Sequence, residues 1–443
     1  MSDAPDPAVQ LSANELNRLE RDAEDGNAAA RYNLAVACLR GDGLPVNRAR
    51  AKALFEQAAA QGLNEARRAL GYLALGAWDE PAAREDALDW FRQAGEGGDA
   101  ESAWRLGSLL AGTRNGADGP SAESLDWLER AAVQGHPEAA LELAYCLETG
   151  FGRETDMRTA GELYQAAAEK GQPEACFRLA DAFARGEVVE ADPILAEAWL
   201  HRAAAHGHLV ARTQLEKMNI APRPGGPVSG SKSWRAGTVA GDSVEVLCES
   251  PRIVRVSGFL NAFECAHVIQ RAAPLIRPSQ VLSRETGKHE ASAGRRSGEA
   301  RLAGPLRDVV VRRIEERLAA YAGLPVAHGE RLQVLHYGPG DEYRPHVDYF
   351  DPALPGSATP LGRGGQRLVT QLCYLNDVAG GGATAFPKLG IACEARPGSM
   401  LMFFNAGADA KVDPRTQHAG LPVTAGEKWL ATKWVRQLPT PAF

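Results

Sequence analysis

Residues 335–352 read LHYGPGDEYRPHVDYFDP, and the reading of the C-terminal half turns on whether His346-Val347-Asp348 can hold a metal ion. The tripeptide decides nothing alone. The chain has ten histidines, and His136-Pro137-Glu138 and His328-Gly329-Glu330 share its His-x-acid spacing. On an extended segment, residues i and i+2 project to one face, so His346 and Asp348 can both meet one ion. A third ligand must come from a distant strand, and His418, at the start of HAGLPVTAGEKWL, is the natural candidate.

The rest of the chain removes one rival. Glycines 26, 62, 98, 135, 171 and 207 recur at a spacing of 36 or 37 residues, and eight residues after each stands a leucine: Leu34, Leu70, Leu106, Leu143, Leu179 and Leu215. Four after each glycine comes a small residue (Ala30, Ala66, Ser102, Ala139, Ala175, Ala211). Seven before the last five comes a large apolar one (Phe55, Phe91, Leu128, Tyr164, Leu200). Residues four apart share a helix face, so each period predicts a pair of helices whose apolar face only a neighbouring pair can cover. The glycine supplies the tight turn between pairs. LSANELNRLERDAEDG and HLVARTQLEKM read as capping half-repeats. His136 falls at the start of a first helix, and His206 and His208 flank Gly207 in the same register. All three read as solvated turn residues.

Residues 219–237, NIAPRPGGPVSGSKSWRAG, have the composition of a flexible linker. Beyond it the period vanishes. VEVLCESPRIVRVSGFL predicts one or two strands, and Asn261 with Glu264 predicts a capping box ahead of CAHVIQRAAPLI. A helix is predicted over 305–322, ending at Gly323. RLQVLHYG, LVTQLCYLN, SMLMFFN, LPVTA and KWLATKWVRQ are short strand-like runs. The fold class is therefore a multidomain chain: an all-α repeat solenoid over 1–218, a linker over 219–237, and over 238–443 an α+β domain with a jelly-roll core. His328-Gly329-Glu330 reads as a loop before a strand, and His336 as strand packing.

At 443 residues there is room for two or three domains. Net charge is −7, which weighs against a nucleic-acid binder. Seven scattered cysteines without a C-x-x-C suit reduced thiols. The N-terminus has no basic and apolar leader pattern, and no apolar run approaches the roughly 20 residues of a membrane span. A cytoplasmic protein without membrane attachment is expected.

Two histidines and a carboxylate on one face suit the non-heme Fe(II) triad, which leaves positions open for a chelating cosubstrate and dioxygen. The same donors bind zinc, although the helical H-E-x-x-H of zinc proteases is absent. Lys428 follows His418 by ten residues, and alternation places it on one face with Leu430, Thr432 and Trp434. A buried lysine needs an anion, and the far carboxylate of 2-oxoglutarate would supply one.

The period and columns of residues 12–218 resemble Sel-one-like repeats, relatives of tetratricopeptide units: five repeats plus caps. From Pro251 to Gln437 the chain resembles the prolyl 4-hydroxylase-like, Fe(II)- and 2-oxoglutarate-dependent dioxygenases. The resemblance rests on PRIVRVSGFLNAFECAHVI, PSQVLSRETGKHEASAGRRS, HYGPGDEYRPHVDY, QLCYLNDVAGGGATAFP, ARPGSMLMFFN and QHAGLPVTAGEKWLATKWVR. It implies His346, Asp348 and His418 as iron ligands and catalytic residues. It places Lys428 on the C5 carboxylate of 2-oxoglutarate, Tyr337 on the cosubstrate, and Thr384 and Trp434 around it. Arg295, in the family's RTS element, falls beside the substrate, although Arg296 follows it here. Tyr343 is a further substrate residue. The family's GGETxFP reads Gly381-Gly382-Ala383-Thr384-Ala385-Phe386-Pro387, without the acid. The run 351–367 is insertion-like and reads as a mobile lid.

The implied reaction hydroxylates a C–H bond of a prolyl residue in a protein or peptide recruited by the repeats, with release of succinate and carbon dioxide. The cofactors would be Fe(II), 2-oxoglutarate and dioxygen, with ascorbate as reductant. Two alternatives stay open: hydroxylation of a free amino acid, and a repeat-based interaction protein with an inactive oxygenase domain.

Overall fold

A computed structural model describes residues 11–113, 119–221, 223, 228, 232, 234–235, 242–282, 289–291, 294–407 and 409–440. Helix pairs follow the predicted register: Ala28–Arg40 with Arg48–Ala60, Asn64–Leu75 with Pro81–Glu96, Ala100–Thr113 with Ala122–Val133, Pro137–Thr149 with Met157–Glu169, and Pro173–Arg185 with Pro193–Ala205. Helices Ala13–Glu24 and Leu209–Lys217 flank them. All six register glycines take the left-handed conformation, φ 80–93°, which a side chain would strain. The small and leucine columns are buried. Helices approach so closely that a Cβ on Gly71 would meet the Phe91 ring at 2.8 Å.

The residue after each glycine except Gly62, where Leu63 makes no side-chain cap, caps the following helix. Asn27, Asp99 and Gln172 accept from the backbone N–H three residues on through side-chain oxygens, and His136 and His208 accept through Nδ1. This corrects the reading of those two histidines as solvated. His136 stacks on Trp104 at 4.9 Å, and His208 is 1% exposed and stacks on Phe177 at 4.4 Å. The cap slot sits inside the helix stack, and an imidazole fills it at both positions. Burial pushes His208 down to about 4, which keeps it an acceptor. His206 is exposed, as expected.

The chain forms two compact units, divided at Leu143/Ala144. The first contains the repeats before that point. The second joins the last repeats to the β-domain. Within it, helix Ala262–Ala272 packs on Pro173–Arg185 and Leu209–Lys217. The contact contains buried charge. Tyr145 donates to Glu264 Oε1 at 2.6 Å, and Arg317 reaches Glu264 Oε2 at 2.9 Å. His267 lies between Glu174, on its Nδ1, and Asp308, 3.0 Å from Nε2. The 219–237 linker lies in large part outside the described residues. Where it is described, Trp234 is buried and packs 5.4 Å from Tyr164, beneath the Arg178 guanidinium. Gly161 leaves the space for its indole.

The β-domain is a double sheet. The large sheet has eight strands in the order Ser243–Glu249, Arg252–Ser257, Met400–Phe404, Arg367–Tyr374, Lys428–Arg436, Leu332–Tyr337, Gly298–Leu302 and Arg277–Pro278. The small sheet runs Ile391–Cys393, Thr384–Phe386, His418–Gly420 and Tyr343–His346. The paired strands of both sheets are antiparallel, and their inner faces enclose Ile253, Leu335, Leu372, Phe386, Leu401, Phe403 and Leu430. Asn261 and Glu264 form the predicted capping box. The helix expected over 305–322 begins at Val309, because Asp308 caps it by accepting from Val311 N–H at 3.0 Å; Gly304–Leu306 is a separate 3-10 turn. The run 351–367 is not an irregular loop. It contains the short helix Ala358–Gly364, and Arg436 donates to the carbonyls of Pro360 and Gly365.

Candidate metal centre

The small sheet brings the three ligand candidates together. His346 ends one strand and His418 opens its neighbour, and the two are register partners. Asp348 follows just beyond the strand end. Their ligand atoms all lie within 4.8 Å of one another, and no other such group of three occurs among the described residues. His346 Nε2 is 3.7 Å from Asp348 Oδ1, and His418 Nε2 is 3.6 Å from Asp348 Oδ2.

Each imidazole is oriented by the same device. His346 Nδ1 lies 2.8 Å from the Arg344 carbonyl and His418 Nδ1 lies 3.0 Å from that of Thr416. Both carbonyls accept from Nδ1–H, so both Nε2 lone pairs are free for a metal. Tyr343 stacks on His346 at 3.5 Å, and Phe403 lies 4.7 Å from His418. Burial pushes His346 down to about 3, helped by the neighbouring His418. Burial alone would raise Asp348, but the two imidazoles and Arg367 hold it down at about 2. Neutral histidine beside ionised carboxylate is the protonation state that a divalent cation requires. The two histidine–carboxylate separations are below the roughly 4.2 Å that ligands on opposite sides of an ion at about 2.1 Å would span, so the site fits a single metal.

Of the cosubstrate candidates, Lys428, Tyr337 and Trp434 lie on the large sheet and Thr384 on the small one. Lys428 is 2% exposed and donates to the Gly382 carbonyl at 2.6 Å. No carboxylate pairs with it among the described residues, and burial lowers it to about 8. The rings of Tyr337 and Tyr374 lie 5.4 and 5.5 Å from its Nζ. Tyr374 donates to Thr384 Oγ1 at 2.8 Å. Sequence reasoning missed Tyr374, which pairs across the sheet with Leu430, two residues from Lys428.

Trp434 lies six residues along the strand, about 20 Å from Lys428 at the usual rise. It stacks on Arg367 at 3.9 Å, on the Asp348 side of the site. Arg367 makes a forked pair with Glu330, at 2.7 Å from both nitrogens, and its Nη1 reaches the Asp348 carbonyl at 3.4 Å. Glu330 therefore serves the site through Arg367, and its His-x-acid tripeptide forms no three-ligand cluster among the described residues. His328 instead faces the Arg436 carbonyl at 3.1 Å. His336 packs on Trp429 and pairs with Glu427, as expected of a strand residue. Arg295 is buried, 5.0 Å over the Tyr343 ring and 3.7 Å from Glu299, whereas Arg296 is exposed. Part of the surrounding element, residues 283–288 and 292–293, lies outside the described residues.

Residues 332–436 match the family model of the 2OG-Fe(II) oxygenase superfamily. Five Sel1 repeats match 28–63, 64–99, 100–136, 137–172 and 173–208, each starting two residues after a register glycine. Over 210 residues the chain is 39% identical to probable prolyl 4-hydroxylase 3 of Arabidopsis thaliana, a match covering 43% of this chain and 71% of the relative. The chain belongs to the prolyl 4-hydroxylase family. Prolyl 4-hydroxylase 1 of the same plant is 38% identical, over 44% of this chain and 72% of its own. The solved viral collagen prolyl hydroxylase of Paramecium bursaria Chlorella virus-1, in its 2OG complex, is 28% identical. That match covers 43% of this chain and 99% of the viral one, at a TM-score of 0.34. This member of the prolyl 4-hydroxylase family is a 2-oxoglutarate-dependent dioxygenase carrying a Sel1 repeat array.

Proposed function

We propose that this dioxygenase hydroxylates a prolyl residue in a protein or peptide captured by its repeats. The observation that carries the cosubstrate half is Lys428. A triad alone would also suit zinc hydrolysis, but a buried ammonium without a carboxylate partner needs an incoming anion. Lys428 binds the C5 carboxylate of 2-oxoglutarate, and Tyr337, Tyr374 and Thr384 wall its methylene chain. His346, Asp348 and His418 hold Fe(II) through Nε2, a carboxylate oxygen and Nε2. When bound, Fe(II) with 2-oxoglutarate and dioxygen supplies oxidative decarboxylation to succinate and carbon dioxide coupled to hydroxylation of a C–H bond, with ascorbate as a reductant that restores Fe(II). Tyr343 and Arg295 lie beside His346 and line the substrate side. Trp434 and Arg367 close the Asp348 side against water.

The prolyl target rests on the names of the relatives, and the polypeptide nature of the substrate on the repeats, whose stacked faces suit extended chains. No described helix is long and apolar enough to cross a membrane. We place the protein in the cytoplasm on the strength of its scattered thiols, and its acidic net charge argues against nucleic acid as a partner. Anaerobic loading with Fe(II) and 2-oxoglutarate tests the core of this reading. A metal-to-ligand charge-transfer band that vanishes in Lys428→Ala at limiting 2-oxoglutarate is expected. Its absence from the wild-type protein would overturn the assignment. Succinate formation stimulated by proline-containing peptides, and not by free proline, is expected for the substrate class.

A further inference from the structure

Asp348 is held by a buried relay that reaches into the large sheet. Thr370 is fully buried in the strand Arg367–Tyr374, opposite Phe403 on one side and Trp434 on the other. Its hydroxyl donates to Asp348 Oδ2 at 2.8 Å. Asn405, also fully buried, follows the strand Met400–Phe404, and its Nδ2 donates to Thr370 Oγ1 at 2.8 Å. The Asn405 backbone is pinned on both sides, its N–H donating to Leu368 O at 2.8 Å and its carbonyl accepting from Asp413 N–H at 2.9 Å.

The direction of the relay is forced. An ionised carboxylate only accepts, so Thr370 must give Asp348 its single proton. The threonine oxygen then has only lone pairs left, and Asn405 must present its amide nitrogen. Among the described residues Asn405 Oδ1 is left buried without a hydrogen-bond partner, so this orientation carries a desolvation cost that the contact with Thr370 offsets. A packing role would not need the hydroxyl. Valine fills the same β-branched volume in a strand without a buried polar atom to satisfy.

We propose that Thr370 and Asn405 are positioning residues that make Asp348 a one-oxygen metal ligand. Thr370 engages Oδ2, which also lies 3.6 Å from His418 Nε2, and leaves Oδ1 turned toward His346 Nε2, 3.7 Å away. Were Oδ2 free, the carboxylate could turn and offer both oxygens, taking a coordination position that the cosubstrate needs. Outer-shell partners of this kind change metal affinity by roughly 10–100-fold. The proposal rests on the metal-centre reading above, and the experiment below separates the two.

Co(II) is titrated into the metal-free full-length protein under anaerobic conditions and followed by its absorption bands. Thr370→Val is expected to bind Co(II) roughly 10–100-fold more weakly than wild type, with an altered band shape, while Thr370→Ser restores both. Asn405→Leu is expected to weaken binding by a smaller factor and to add little in the Thr370→Val background, because it acts through that hydroxyl. With Fe(II), KM for the metal should rise in Thr370→Val more than KM for 2-oxoglutarate. Wild-type affinity and band shape in Thr370→Val would overturn the relay while leaving the metal centre intact. If Thr370→Val fails to fold, the Asn405→Leu titration decides in its place: Co(II) affinity equal to wild type overturns the relay. A wild-type protein that takes up no Co(II) overturns both readings.

Discussion

The second unit contains two buried histidine–carboxylate clusters built from the same residue types in opposite proportion. At His267 one imidazole lies between two carboxylates, Glu174 from a repeat and Asp308 from the β-domain, with Arg271 3.1 Å from Asp308. Burial alone would lower His267, but the two carboxylates raise it to about 10, so at neutral pH the cluster holds a charged imidazolium with its hydrogen bonds filled. At Asp348 one carboxylate lies between two imidazoles, and His346 is pushed down to about 3. That cluster keeps lone pairs on both Nε2 atoms that a metal ion would take. One arrangement satisfies itself and joins two parts of the fold. The other is completed only by something that arrives, and the ratio of acid to base decides which.

The sharpest way to break this contrast is to remove a histidine from each cluster. His346→Ala should abolish iron-dependent succinate formation while leaving the thermal midpoint of the metal-free protein within a few degrees of wild type. Undiminished turnover would remove His346 from the centre. His267→Ala should do the reverse, destabilising the fold by about 3–5 kcal/mol because it strands buried carboxylates. Denaturant midpoints measure this loss, and 2-oxoglutarate affinity at low temperature should be unaffected. Stability equal to wild type would show that the clamp contributes nothing.

Between these extremes stands Lys428, an unpaired charge on the large sheet. Lys428→Ala should weaken 2-oxoglutarate binding by about two orders of magnitude, from the roughly 3 kcal/mol expected when one member of a buried charge pair is removed. Since burial lowers Lys428 to about 8 in the free protein, the protonated form that takes the anion is depleted above that pH. Apparent 2-oxoglutarate affinity should then fall by about tenfold per pH unit above 8, and a flat profile to pH 9.5 would remove Lys428 from the pocket.

His267 gives a slower pH signature of its own. Its folded-state value, about 10, lies above the unfolded value near 6.5. The clamp's contribution is therefore complete below 6.5 and is lost as pH rises through 10. The thermal midpoint should decline across that window in wild type and much less in His267→Leu. The smallest effect should follow removal of residues 1–135, which keeps helix Pro137–Thr149 and every clamp residue. Uncoupled 2-oxoglutarate turnover should stay within about twofold, whereas removal of 1–218 strips Tyr145, Tyr164 and Glu174 from helix Ala262–Ala272 and should yield unstable protein.

The repeat register was readable in the sequence because stacking enforces it: the glycine, small-residue and leucine columns satisfy the same packing constraint in every unit. The triad and Lys428 were readable because strand alternation and spacing fix which side chains share a face. What the sequence hid depends on partners far away in the chain. The fixed part of the 219–237 segment depends on Trp234 meeting Gly161 and Tyr164, and nothing in a Pro/Gly-rich composition signals one buried indole. Glu174 occupies a repeat position where Glu65, Glu101 and Glu138 also occur, and only the docked helix distinguishes it. Thr370 in its strand and Asn405 just after its own are likewise ordinary residues until Asp348 is brought to them. The ordered helix at 358–364 escaped notice because its stability comes from Arg436, more than seventy residues downstream.

The hydrogen bond from Lys428 to the Gly382 carbonyl also bears on how the cosubstrate is bound. A free lysine side chain loses up to about 2 kcal/mol of rotamer entropy when it is fixed. Lys428 is held in place before any ligand arrives, so that loss belongs to folding and not to binding. Capture of a small dicarboxylate thus begins from a rigid cation, and the anion's attraction is spared the task of ordering its own receptor.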